Sequence, residues 1–226
     1  MLIVLTREAG MNAQLREWVG DAGDVVEAPL TRTAYREVTE VAREIEASGL
    51  AGAFASLVVT SARVEPYVAT ALAALAEGAE VFSVGPATTQ MLQGQGARVA
   101  AESTSRAQRL EDDITRGPVL FVGARDPREE LPRALADKGL VVVPVVAYET
   151  VAVEVDEDVA WLLARADVVV IGAPSAWSVA RTYVASSSWV VVPGETTAEA
   201  VRHDHARVVV AWGEGLGEVL GTLDAG

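Results

Sequence analysis

Apolar, strand-like runs in this chain end repeatedly in glycine, threonine or serine. The ends are Thr6, Thr60-Ser61, Gly85-Pro86-Ala87-Thr88-Thr89, Gly123, Gly172-Ala173-Pro174-Ser175 and Gly194-Glu195-Thr196-Thr197. A helix beginning at such a point offers free backbone N–H groups and a partial positive charge, which suits an anion. Small hydroxyl residues add donors without blocking access. Taken singly, each is also an ordinary N-cap; as a set facing one crevice, they suit an anion-binding role. Arg7 follows the first strand end, Arg63 follows Thr60-Ser61, and Arg125 and Arg128 follow Gly123. Guanidinium groups there suit carboxylates, or simply solvate the surface. Tyr148 closes a long apolar run and is followed by Glu149-Thr150. It can pack its ring and offer its hydroxyl to a cleft, or sit half-buried in a linker.

Other chemistries lack their residues. Cysteine is absent, so disulfides, thiolate nucleophiles and Cys-ligated metals are excluded. The two histidines fall in His203-Asp204-His205, which reads as a surface turn before a strand. Glu111-Asp112-Asp113 and Glu129-Glu130 read as solvated helix faces. There is no Gly-Lys-Ser/Thr phosphate loop and no Gly-x-Ser-x-Gly. Gly94-Gln95-Gly96 reads as a helix stop, and Gly213–Gly217 as a loop into a terminal helix. The five tryptophans are scattered in core-like patterns. The net charge of −14 in 226 residues argues against nucleic-acid or anionic-membrane surfaces. No apolar run approaches the roughly 18 residues of a membrane span, and the N-terminus reads as a strand rather than a signal peptide.

The elements that must position these residues alternate in period. Strands are expected over 2–6, 25–29, 57–61, 81–85, 98–101, 119–123, 141–148, 168–173, 190–194 and 208–212, several nearly continuous in Val, Ile and Leu. Such runs suit strands buried on both faces of a parallel sheet. Helical faces lie between them: Met11/Leu15/Trp18/Val19, Val38/Val41/Ala42/Ile45, Val64/Tyr67/Val68/Ala71/Leu72/Leu75, Leu131/Ala134/Leu135 and Val159/Leu162/Leu163. The third is expected to stop at Gly78. The pattern is α/β, with helices flanking parallel sheets whose strand ends form a ligand crevice.

The chain also looks duplicated. Thr6-Arg7, a helix, Gly23, Val25-Val26 and Pro29 parallel Ala124-Arg125, a helix, Gly139, Val141-Val142 and Pro144. Val58–Ala62 parallels Val170–Ala176, Val84–Thr89 parallels Val192–Thr197, and Ala97-Arg98-Val99 parallels Ala206-Arg207-Val208, in the same order.

The sequence resembles the uroporphyrinogen-III synthase family over nearly its whole length. The matching pieces are Val-Leu-Thr-Arg at 4–7, Val-Val-Thr-Ser-Ala-Arg-Val at 58–64, Val-Gly-Pro-Ala-Thr at 84–88 and the 128–139 segment. Val-Ala-Tyr-Glu-Thr-Val at 146–151, Ala-Pro-Ser-Ala at 173–176 and Glu-Thr-Thr-Ala-Glu-Ala at 195–200 complete them. The resemblance implies two similar α/β domains with parallel sheets flanked by helices, joined by a two-stranded linker, with the active site in the cleft between them. One domain would be residues 1–31 with 149–226, the other 37–143, and the linker strands 32–36 and 144–148.

It further implies closure of the linear tetrapyrrole hydroxymethylbilane to uroporphyrinogen III, with inversion of ring D through a spirocyclic intermediate. No metal or organic cofactor, nucleic acid or membrane is implied. The protein would be a cytoplasmic monomer, handed its substrate by the preceding pathway enzyme. Tyr148 matches the family's candidate proton donor. Substrate carboxylates would fall to Arg7, Thr60, Ser61, Arg63, Gly85, Pro86, Thr88, Arg125, Pro174, Ser175, Gly194, Thr196 and Thr197. Departures from the family pattern are Thr-Ser-Ala at 60–62 for Thr-Ser-Pro, Gly-Ala-Pro-Ser at 172–175 without the usual hydroxyls, and Pro-Gly-Glu-Thr-Thr at 193–197, where Glu195 adds negative charge. His203-Asp204-His205 stands in place of a helix-ending glycine. The alternative reading is a two-lobed binder or sensor of an anionic metabolite, in which Tyr148 serves packing alone.

Overall fold

Short β-branched runs become strands and the amphipathic stretches between them become helices. The chain opens with β1 (Leu2–Leu5), α1 (Ala13–Val19), β2 (Asp24–Glu27) and β3 (Thr31–Tyr35). Next come α2 (Val38–Ala47), β4 (Phe54–Val59), a 3-10 helix (Ala62–Tyr67), α3 (Val68–Ala73) and β5 (Leu75–Val84). They are followed by α4 (Pro86–Gly94), β6 (Val99–Ser103), α5 (Leu110–Asp113), β7 (Val119–Ala124), α6 (Glu130–Asp137) and β8 (Val142–Ala152). The remainder is α7 (Glu157–Arg165), β9 (Val168–Val170), α8 (Pro174–Ala180), β10 (Trp189–Val192), α9 (Glu195–Arg202), β11 (Val208–Val210) and α10 (Leu216–Gly221). The structure is a computed structural model that describes residues 1–103, 110–125 and 130–223. Among these residues, no helix is long and apolar enough to cross a membrane.

The chain divides into two units, Met1–Thr33 with Val151–Gly226, and Ala34–Thr150. The first holds a five-stranded parallel sheet in the order β11-β10-β9-β1-β2. Both faces are covered, which explains the unbroken apolar runs. Ile3, Leu5, Val168, Val170 and Val191 face Leu15 and Val19 of α1 and Leu216 and Leu220 of α10. Val4, Val169, Val190 and Val192 face α7, α8 and α9 through Leu163, Trp177, Ala180, Ala198 and Val201. Asp156 starts α7 by accepting the Val159 N–H at 2.8 Å, a cap worth about 1 kcal/mol.

The second unit holds a six-stranded sheet in the order β3-β8-β7-β4-β5-β6, with β4 to β8 parallel. Leu57, Val59, Leu120, Val122 and Val145 pack with Val41 and Ile45 of α2 and with Tyr67, Val68 and Leu92. Val58, Phe82, Val119 and Phe121 face Leu110, Ile114, Leu131 and Leu135 on the other side. The strand order reverses between β1 and β9 in the first unit and between β4 and β7 in the second. Crevices at the carboxyl ends of strands open at such reversals.

β3 and β8 carry the chain from one unit to the other. Arg36 N–H donates to Ala147 O (3.0 Å) and Val153 N–H to Leu30 O (2.9 Å). Numbers rise on one strand as they fall on the other, so the pair is antiparallel and Tyr35 stands opposite Tyr148.

Three sequence expectations are corrected. Leu75 does not continue a helix to Gly78: α3 ends at Ala73, and Leu75 opens β5 opposite Phe54 of β4. The short apolar run fits either period, and pairing with β4 decides it. Trp161 is 57% exposed on α7, with the Arg165 guanidinium 5.0 Å from its ring centroid, rather than in the core. His203-Asp204-His205 is only partly a surface turn. His203 is exposed, but His205 is 8% exposed, with Nε2 2.8 Å from Ser188 O and its ring edge-on to Trp177.

Candidate functional site

The expected site residues gather along two carboxyl edges, one in each unit. In the second unit the edge is built by β8, β7, β4 and β5, whose parallel register brings together residues distant in sequence. Tyr148 lies opposite Ala124 of β7 and is 5% exposed. The Arg63 guanidinium carbon stands 6.0 Å from the centre of its ring, within cation–π range. The Tyr35 ring lies 6.2 Å away, tilted by 49°. Arg125 N–H donates to Tyr148 O at 2.8 Å, and the Arg125 Nε bonds Glu149 at 2.6 Å, so the peptide after Tyr148 is held from two directions.

At the reversal of this sheet, Gly123 lies beside Thr60: a Cβ there would be in ordinary contact with the threonine Oγ1, at 3.6 Å. Ser61 caps the 3-10 helix, its Oγ accepting the Arg63 N–H at 3.3 Å. Arg63 is thereby fixed at its own backbone. Gly85 precedes α4 with φ +81°, a left-handed conformation that costs a residue with a Cβ about 1–2 kcal/mol. Pro86 follows at the first helical position, where its missing N–H is harmless. Thr88 is buried, and its N–H bonds Gly85 O at 3.1 Å. It stands in the first turn of α4, just after the β5 strand end.

In the first unit the edge is built by β1, β9 and β10. The hydroxyl of Thr6, which is fully buried, donates to Val170 O at 2.7 Å, locking β1 to β9. Arg7 then lies across Gly172, where an added Cβ would sit 3.3 Å from the arginine Cγ. That contact gives a physical reason for the missing hydroxyl residue at 172: the arginine stem occupies its place. Buried Asn12, which the sequence reading missed, donates to Arg7 O (3.2 Å) and to Glu27 (3.0 Å). Pro174 and Ser175 are exposed at the start of α8. Gly194 precedes α9 in extended backbone, Thr196 is exposed, and Thr197 is buried, its N–H bonding Gly194 O at 3.2 Å. Glu195 is paired with Arg202 of the same helix, which offsets the negative charge noted in the sequence.

Side-chain capping is not what these helix starts share. α4, α8 and α9 have no side-chain cap bond; Ser61 has one. Tyr35 is the other residue not anticipated as part of the site. Its only sequence signal is an aromatic ring within the expected linker strand 32–36. Arg128 lies outside the described residues. Among the described residues, no three His, Asp or Glu side chains gather where they would hold a metal ion.

Two α/β units, each with small residues and an arginine at the carboxyl edge of its sheet, define the class of α/β proteins whose strand ends can take a small molecule. The family model described as Uroporphyrinogen-III synthase HemD matches residues 14–215. The chain therefore belongs to the uroporphyrinogen-III synthase family, enzymes of the lyase class in porphyrin and haem biosynthesis, and it is an enzyme of that kind. A mutant uroporphyrinogen III synthase from the extreme thermophile Thermus thermophilus is similar in structure, with a TM-score of 0.63 and 18% identity over 97% of this chain and 96% of that one. Uroporphyrinogen-III synthetase from Helicobacter pylori is similar with a TM-score of 0.60 and 15% identity, covering 91% of each chain. At these identities the likeness is one of fold. No curated protein sequence matches.

Proposed function

We propose that the chain closes hydroxymethylbilane to uroporphyrinogen III with inversion of ring D, and that Tyr148 is the proton donor. The observation that carries the reading is Tyr148 itself. A nearly buried tyrosine within β8 lies level with the carboxyl end of β7 and beside Arg63, in a chain of this family. The two edges bind the carboxylates of one substrate molecule in a cleft between the units. Helix N-termini and Arg7, Arg63 and Arg125 oppose a polyanion locally. The overall charge of −14 is screened beyond about 8–10 Å at physiological salt. The protein acts in the cytoplasm as a monomer, on substrate handed over by the preceding enzyme of the pathway.

In the first step the Tyr148 hydroxyl gives its proton to the hydroxymethyl oxygen. The C–O bond breaks, water leaves, and the pyrrole nitrogen's electrons form the azafulvene; the pyrrole N–H proton restores the phenol. The azafulvene carbon then bonds to the substituted α-carbon of ring D, giving the spirocyclic intermediate. The older bond from that carbon to the methylene bridge of the neighbouring ring breaks, its electrons restoring the ring D pyrrole and leaving a second azafulvene on the neighbouring ring. That methylene then bonds to ring D's free α-carbon, whose proton returns to the pyrrole nitrogen that gave one up. Ring D is thereby inverted. Most of the protein's contribution is orientation, and proton donation adds roughly 10²–10⁴-fold. Tyr148→Phe is expected to retain the fold and substrate binding while kcat falls by about two orders of magnitude. A folded Tyr148→Phe protein with wild-type turnover would remove Tyr148 from the chemistry.

A further inference from the structure

We infer that Tyr35 is a second aromatic residue of the substrate site, presenting a ring face on which one pyrrole ring stacks beside Tyr148. The inference rests on Tyr148 being where the substrate reacts. Tyr35 is 54% exposed, at the end of an edge strand. Such a ring buries too little surface to be explained by the core. Yet the backbone is anchored on both sides of it. Two residues before it, Thr33 gives both its N–H and its hydroxyl to the Glu8 carboxylate, each at 2.7 Å. One residue after it, Arg36 donates through its backbone to Ala147 O at 3.0 Å and through Nη1 to Val146 O at 2.8 Å. The same guanidinium pairs with Glu44, and the Tyr67 hydroxyl donates to Arg36 O at 2.7 Å.

A large ring on a strand anchored on both sides, against one aromatic neighbour and half in solvent, suits a prepared contact, because part of its ordering cost is met before the ligand arrives. Its direct cross-strand neighbour is Tyr148, at 6.2 Å between ring centres, with Arg63 also facing the Tyr148 ring. A flat, electron-rich heterocycle with acidic side arms suits that surround: one face on an aromatic ring, its carboxylates toward the arginine. Stacking there also keeps water from the azafulvene carbon, where its addition would only regenerate the starting alcohol.

The test compares Tyr35→Phe, Tyr35→Leu and Tyr35→Ala with the wild type, using in-situ generated hydroxymethylbilane. KM, kcat and the ratio of porphyrin isomers I and III are read after oxidation of the product. Phe keeps the ring and is expected within about twofold of wild type. Leu still covers Tyr148 but has no aromatic face. It and Ala are expected to raise KM about five- to tenfold with kcat nearly unchanged. Both should increase the share of isomer I, since substrate that is not held closes on its own without inversion. A folded Tyr35→Leu protein with wild-type KM and isomer ratio would overturn the inference. So would a fall in kcat alone, which would mean that Tyr35 acts only by orienting Tyr148. Failure of the wild type to form isomer III would instead refute the proposed reaction, and this inference with it.

Discussion

Tyr148 and His205 show how differently single residues read in sequence and in structure. Tyr148 drew notice because it closes an apolar run; the structure carries β8 on to Ala152 and sets Tyr148 level with the end of β7, opposite Ala124. Its companion Tyr35 drew no such notice. The two stand opposite each other only because β3 and β8 pair across most of the second unit's sequence, and no local pattern encodes that pairing. Thr88 and Thr197 were singled out for their hydroxyls; the structure buries both residues in the first turns of α4 and α9, which the residue type alone did not indicate. His205 looked like part of a solvated turn. The fold instead packs its imidazole on Trp177 and aims Nε2 at Ser188 O, 2.8 Å away. Because a carbonyl can only accept, that nitrogen carries the proton. His205→Ala would leave the carbonyl without this donor in a buried place, a loss of about 1–3 kcal/mol. A drop in thermal midpoint of about 3–8 °C is expected, and an unchanged midpoint would show that the contact contributes nothing.

Among the elements, β3 has the most consequence for its length. It is an edge strand of modest propensity, and the groups on either side hold it in place: Glu8 on Thr33, and Arg36 with Glu44, Val146 and Tyr67. Burial pushes the Tyr67 hydroxyl above the usual tyrosine range, with the nearby Tyr35 adding to it. The folded state therefore favours the protonated phenol more than the unfolded chain does. That stabilisation is complete below about pH 10, the ordinary tyrosine value, and is lost as pH rises through the folded value. Thermal midpoints of the wild type are expected to fall above about pH 10. Tyr67→Phe should start lower at neutral pH, having lost the bond to Arg36 O, and fall less steeply in alkali. Parallel alkaline slopes for the two proteins would contradict this. The helices were easier to read than this strand. Val41 and Ile45 in α2, and Leu131 and Leu135 in α6, are the buried positions that their spacing indicates. Leu75 failed because a short apolar run after a helix carries no period of its own, and β4 recruited it.

At the scale of the whole molecule, the duplicated sequence pattern corresponds to two largely parallel sheets whose strand order reverses at β1/β9 and at β4/β7. The alternation of strands and helices made the α/β class legible. It left the strand order open, because several orders satisfy the same apolar runs. The same architecture places small residues and arginines at two carboxyl edges, where the proposed reading has them meet the carboxylates of the substrate. The measurement that tests the central claim most directly is the product of the wild-type protein on in-situ generated hydroxymethylbilane, oxidised and separated into porphyrin isomers. Isomer III is expected to predominate, because closure with ring D inverted requires the substrate to be held. Isomer I alone, from protein shown to be folded, would contradict the account.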